Sequence, residues 1–314
     1  LVTVIHPLLE TSIVREVERA ASAHLGRRWV GGAFTNLNDR ACHPCGVIHG
    51  RPFSVFAKLN VAADDGEQFR AELNGLNLLR RLARVATPTP VANGVIAVQG
   101  GSLLLLESLP ERSGSDRSTE DWRSIGRTLA TMHLVRDKKF GLGLVEGFFG
   151  PTRQDNRAVP SNRWADFYAE RRVLPLLRLA SDSGHLPLSV AADVERLMRR
   201  LPELCGPEPR PSLLHGDAHQ NNFISTPAGA VVVDVAPHFG HPEVDLALVD
   251  YFEPVPEALF DGYRDLAPID HGFPHRRELW RLYGYLSVIA VDGGTPIGRQ
   301  FVKRLADAVR FYER

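Results

Sequence analysis

The run His215-Gly216-Asp217-Ala218-His219-Gln220-Asn221-Asn222, followed by Val231-Val232-Val233-Asp234, holds the residue types that phosphoryl transfer requires. That reaction asks for a carboxylate to receive the proton of an acceptor hydroxyl. It also asks for oxygen ligands to a magnesium ion bridging the phosphates of ATP. Asp217 and Asn222 stand five positions apart, a spacing at which one loop can carry both a base and a magnesium ligand. Asp234 ends an apolar strand-like run and supplies a second metal-ligating oxygen. Each residue alone has a plainer reading, an Asp beside Gly as a turn and an Asn in a loop as a cap. The three together point to Asp217 as catalytic base, with Asn222 and Asp234 as metal ligands.

Such groups need a scaffold, and the chain changes character along its length. Residues 11–25 carry apolar side chains at helical spacing, with Thr11 or Ser12 as the expected cap. Val47-Ile48 and Phe53–Leu59 flank a Gly50-Arg51-Pro52 turn and read as a hairpin. Glu67–Leu82 is helical, and Val91–Val98 and Ser102–Leu106 are two more strands. Beyond them helical patterns dominate, over 122–135, 163–180, 190–201, 257–266 and from Arg276 to the end. These features predict an α+β chain of two lobes, 1–107 rich in antiparallel sheet and 108–314 mainly helical. The crevice between lobes is the expected ligand site. Ser113-Gly114-Ser115-Asp116 reads as a loop tip.

Bulk composition narrows the partners. The chain has 314 residues, 44% hydrophobic and 24% charged, which suits a large folded core. Lys plus Arg equals Asp plus Glu at 37 each, so no basic excess exists to hold nucleic acid. Three cysteines do not make a secreted disulfide framework, and Cys42-His43-Pro44-Cys45 is a lone C-x-x-C that reads as two thiols near a hairpin turn. No targeting segment or membrane span is visible, so a cytoplasmic enzyme is expected. A monomer is the simpler expectation for its assembly.

The motif set resembles the aminoglycoside phosphotransferase-like superfamily, which carries H-G-D-x-x-x-x-N in a protein-kinase-like fold. Within it the chain is most similar to the fructosamine kinases (ketosamine 3-kinases), from about Gly31 to Leu286. Gly150-Pro151-Thr152-Arg153-Gln154-Asp155-Asn156 resembles that family's G-x-T-x-Q-x-N run. Trp164 to Arg172 resembles its W-x-x-F-F/Y-x-x-x-R helix, and Gly240 to Ala247 its G-H-x-E-x-D-L-A stretch. The resemblance implies an ATP- and magnesium-dependent kinase of a sugar-type hydroxyl. It implies that Lys58 holds phosphates and pairs with Glu72, and that Gly31, Gly32 and Asn36 lie in the loop over the nucleotide. Backbone groups at Glu107 and Leu109 would meet the adenine edge. His215 and Asp245 are expected to hold the catalytic loop.

The chain also departs from that family. Where fructosamine kinases usually read H-G-D-L-W-S-G-N, it has Ala218, His219, Gln220 and Asn221. The usual D-P-A is Asp234-Val235-Ala236, and Gly284-Tyr285-Leu286-Ser287 replaces L-L-N-H. The departures fall on the acceptor side, where His219, Gln154 and Asn156 are the candidate pocket residues. The resemblance implies a ketosamine acceptor, and the departures leave an aminoglycoside or other natural-product hydroxyl as the alternative. A catalytically dead binding module is disfavoured because Lys58, Glu72, Asp217, Asn222 and Asp234 are all present. A protein kinase is disfavoured because no H-R-D, D-F-G or A-P-E occurs.

Overall fold

A computed structural model describes residues 6–38, 43–61, 66–112, 116–143 and 147–313. Cys42, the 113–115 tip and the first five residues lie outside the described residues. The chain separates into two compact units, Leu1–Arg117 with Ile224–Asp234, and Ser118–Phe223 with Val235–Arg314.

The first unit opens with helix α1, Thr11–Leu25, which buries Ile13, Val17, Ala20 and Ala21. Its N-cap is Glu10 in extended conformation, with no side-chain bond, so neither Thr11 nor Ser12 caps it. Strands β1 (Phe34–Asn36), β2 (Cys45–Ile48) and β3 (Val55–Asn60) are followed by helix α2, Glu67–Ala83, then β4 (Pro90–Val98) and β5 (Gly101–Glu107). They form one antiparallel sheet in the order β1-β2-β3-β5-β4. β4 is irregular between Pro90 and Val95, where the Asn93-Gly94 break was expected. Helix α1, Trp29 and one face of the sheet share a core built from Ile48, Val55, Ala57, Leu59, Leu103 and Leu105.

The second unit begins with α3, Thr119–His133, whose start is fixed by a capping box between Ser118 and Asp121. A small hairpin follows, β6 (Gly147–Phe149) with β7 (Thr152–Gln154). The expected helix over 163–180 is interrupted: α4 (Trp164–Tyr168) runs into one π turn, Ala169–Val173, before α5 (Leu174–Asp182). Helix α6 is Leu188–Leu204, and β8 is Ser212–Leu213. The hairpin β9 (Phe223–Thr226) and β10 (Gly229–Val232) comes next. β11 (Phe239–Gly240) pairs antiparallel with β8. Helices α7 (Pro242–Leu248), α8 (Glu257–Arg264), α9 (Phe273–Asp292) and α10 (Pro296–Glu313) complete the chain. The single C-terminal helix expected from Arg276 is thus two, parted at Gly293-Gly294.

The division into 1–107 and 108–314 read from the sequence differs from the observed one in two ways, the first being that the first unit runs on to Arg117. Second, residues 224–234 belong with the first unit, because Arg112 N–H donates to Ser225 O at 2.9 Å and Val232 N–H to Ala86 O at 3.0 Å. Among the described residues no helix is long and apolar enough to cross a membrane.

Candidate active site

In the first unit three charged side chains meet. Lys58 leaves β3 toward α2, and its Nζ lies 3.3 Å from both carboxylate oxygens of Glu72. Lys58 also contacts Asp234, which brings together three residues far apart in sequence. Burial alone would depress the Lys58 ammonium, but Asp234 and Glu72 more than offset it and hold the charge. One ammonium cannot balance two carboxylates. Burial and the nearby Asp234 charge therefore outweigh the pull of Lys58 and push the Glu72 carboxyl up to about 8. Asp234 sits at φ +52°, a left-handed conformation that costs a non-glycine residue about 1 kcal/mol or more.

The end of β5, an interior strand of the sheet, places the hinge candidates. Glu107 N–H donates to Thr89 O at 2.8 Å, and Leu109 O accepts from Glu111 N–H at 2.9 Å. The Glu107 side chain meets His24 Nε2 at 2.9 Å, a contact from α1 that no sequence signal announced. The glycine pair precedes β1. Gly31 N–H donates to Glu18 Oε1 at 3.0 Å and Gly32 N–H to His49 O at 2.8 Å, so both amides are engaged within the fold. A Cβ on Gly31 would also press on Ile48 Cγ2. Asn36 turns its Oδ1 to the Asn38 N–H at 2.9 Å. The connection between β1 and β2 is residues 37–44, of which 39–42 lie outside the described residues. Cys45 is a buried thiol whose Sγ donates to Leu37 O.

In the second unit the loop that carries His215 to Asn222 is held peptide by peptide. The Asp245 carboxylate accepts from His215 N–H at 2.6 Å, Gly216 N–H at 3.0 Å and His133 Nε2 at 3.0 Å. His133 in turn meets the Tyr263 hydroxyl at 2.9 Å. Asp245 is fully buried, which opposes its charge, yet these donors hold its carboxyl below the usual range. Tyr283 donates its hydroxyl to Gly216 O at 2.6 Å, and His215 Nδ1 accepts from Asp217 N–H at 3.3 Å. Gly216 has φ +85°, and a Cβ there would strike the Ala236 carbonyl. Asn222 Nδ2 donates to Asp217 O at 2.8 Å, which orients its amide and couples the two ends of the loop.

The candidate acceptor residues divide. His219 meets Phe252 edge-on at 5.4 Å. Gln154 and Asn156 are buried on the β7 side of the hairpin. Asn156 Oδ1 accepts from Arg172 Nη2 at 2.6 Å, and neither end of the Gln154 amide makes a hydrogen bond. Arg172 sits in the π turn, where burial lowers its guanidinium to about 10. It also donates to Asp155 O at 3.0 Å. The hairpin connects to the loop through Phe149, whose ring lies 4.7 Å from that of Tyr283.

A carboxylate in a clamped H-G-D loop, an Asn five residues on, and a Lys–Glu pair beside a post-strand Asp match the parts of a phosphotransferase. The model of the fructosamine kinase family matches residues 14–306. The chain belongs to that family. This fructosamine kinase family member is an ATP-dependent phosphotransferase with the protein-kinase-like α+β fold. It is 33% identical over 272 residues to a probable ketoamine kinase of Synechocystis sp., with 85% of each chain covered. It is 32% identical to a probable ketoamine kinase of Klebsiella aerogenes, covering 88% of this chain and 94% of that one. A crystal structure of a candidate fructosamine-3-kinase from Thermobifida fusca superposes with TM-score 0.78 at 30% identity, over 96% of this chain and 99% of the other. An aminoglycoside phosphotransferase, solved as a ternary complex with AMP-PNP and hygromycin B, shares the fold at TM-score 0.60 and 16% identity. That comparison covers 94% of this chain and 98% of the other.

Proposed function

We propose that the protein phosphorylates a sugar hydroxyl of a ketosamine, with ATP as donor and Asp217 as the base. The proton of the acceptor hydroxyl passes to Asp217. The acceptor oxygen bonds to the γ-phosphorus as the bond to the β–γ bridging oxygen breaks, and ADP leaves. Asn222 and Asp234 offer hard oxygen donors, an amide and a carboxylate, of the kind magnesium takes, and would hold it. The ion would neutralise charge on the β- and γ-phosphates. Lys58, kept cationic by its carboxylate partners, would hold phosphate oxygens, with Glu72 orienting it. At the hinge, Glu107 N–H and Leu109 O are already engaged, so the Glu107 carbonyl and Leu109 amide would take the adenine edge. Gly31, Gly32 and Asn36 would act by shaping the entry to β1 rather than by donating to phosphate. Gln154 and Asn156 would line the polar side of the acceptor site.

The clamped backbone around Asp217 is the observation that carries this reading, because a base must be held in place to serve in transfer. The relatives' names supply the ketosamine. An aminoglycoside acceptor is the second reading, favoured by His219 where fructosamine kinases usually have Trp. The test is ADP release with a panel of fructosamines and aminoglycosides, using wild type and Asp217→Asn. Turnover of fructosamines that falls about a hundredfold or more in the variant, with ATP still bound, is the expected outcome. Turnover of aminoglycosides alone would overturn the ketosamine assignment, and an unchanged rate in the variant would remove Asp217 from the chemistry.

A further inference from the structure

Two of the four residues that depart from the family's catalytic-loop spelling, His219 and Gln220, act on one segment of chain. Ala218 is fully buried. Gln220 N–H donates to Val249 O at 3.1 Å, and Gln220 Nε2 reaches Glu253 O at 3.4 Å. One side chain and its own amide thus fasten both ends of the segment 249–253. Within that segment, Phe252 stands edge-on to His219 at an interplanar angle of 86°.

The segment is supported from behind as well. The Tyr251 ring lies 4.0 Å from the Phe252 ring, and Phe301 of α10 lies 5.9 Å from it. Arg304 Nη1 donates to Tyr251 O at 2.6 Å. Tyr251 is 4% exposed, whereas Phe252 is 41% exposed. Phe252 is therefore an aromatic side chain in a loop tied down by hydrogen bonds, with a large part of its surface left to solvent. Its neighbour His219 comes two residues after the proposed base. Fixed aromatic surface beside a reacting centre is the usual means of holding the apolar part of a ligand at low entropic cost.

Taking the ketosamine reading as its basis, we propose that Phe252 is a specificity-determining wall of the acceptor site, selecting ketosamines whose amine carries an apolar ring. His219 sets the orientation of Phe252 by its edge contact, and Gln220 fixes the segment that carries it. The aromatic face that the family places at the position of His219 is supplied here from the segment after α7.

The test compares two fructosamines, one made from benzylamine and one from glycine. Their dissociation constants are measured with a non-hydrolysable ATP analogue present, for wild type, Phe252→Ala and Phe252→Trp, with thermal unfolding checked for each. Wild type should bind the benzylamine derivative more tightly. Phe252→Ala should shrink that preference about tenfold, as loss of an apolar contact does, and Phe252→Trp should restore it. A structural role alone would weaken both ligands and the ATP analogue together, and that result would overturn the proposal. Equal preference in wild type and Phe252→Ala would overturn it as well. Turnover separates this from the broader reading. If fructosamines bind with the Phe252-dependent preference but none is phosphorylated, the ketosamine kinase assignment fails while the Phe252 assignment stands. If neither fructosamine binds, both fall.

Discussion

The two charged clusters of this molecule treat their carboxylates in opposite ways. Around Lys58 one ammonium contacts both Glu72 and Asp234, and burial together with the Asp234 charge pushes Glu72 up. Around Asp245 a single carboxylate faces three donors, and its charge is stabilised despite complete burial. Asp234 also holds a left-handed backbone conformation, whereas Asp245 sits within α7. The contrast separates two tasks. A carboxylate saturated by the protein fixes a loop. A carboxylate that contacts a lysine ammonium sits where cationic charge is already gathered, which suits a residue proposed to bind magnesium.

Removing the saturated carboxylate should give the largest effect. Asp245→Ala strands the His215 and Gly216 amides and the buried His133, so stability should fall by about 3–5 kcal/mol. Urea unfolding measures it, and a loss below about 1 kcal/mol would mean that the knot does not brace the loop. Tyr283→Phe removes one bond to Gly216 O and should cost about 1 kcal/mol, with a lower turnover number and little change in nucleotide affinity. An equal change in both kinetic quantities would place Tyr283 outside the positioning of Asp217. The remaining prediction concerns the other cluster. The Glu72 carboxyl is raised in the folded chain from 4.5 to about 8, so between those values the folded state binds the extra proton. That contribution favours the fold at low pH and is lost as pH rises toward 8. Thermal melts without nucleotide should show this decline in wild type and a flatter profile in Glu72→Gln. Identical profiles would argue that the two carboxylates do not compete for Lys58.

Much of this was readable in the residues. The bounds of α1 and α2, the β2–β3 hairpin and the helical second half follow from periodicity and turn chemistry. The Lys58–Glu72 pair and the bracing role of Asp245 also follow expectation. Strand β1 escaped notice because three residues, two of them exposed, carry no alternation to read. The π turn escaped because its cause is tertiary: Arg172 is drawn inward to Asp155 O and Asn156. The break between α9 and α10 was signalled by Gly293-Gly294 ahead of Pro296, a cue outweighed by the apolar pattern on either side. His133, Tyr263 and Tyr283 could not be assigned from sequence, since their partners lie 67 to 130 positions away. The same holds for Phe252, whose meaning depends on where Gln220 fastens its segment.

The excursion of residues 224–234 has a consequence for the order of synthesis. A ribosome releases the first 117 residues long before it makes the hairpin that Arg112 and Ala86 receive. The N-terminal unit must therefore wait, with Lys58 and Glu72 formed into a site that still lacks Asp234, until residue 234 has emerged. A fragment ending at 117 would be an incomplete folding unit by construction. The polypeptide acquires its proposed metal ligands Asn222 and Asp234 only twelve residues apart, within one short stretch of synthesis.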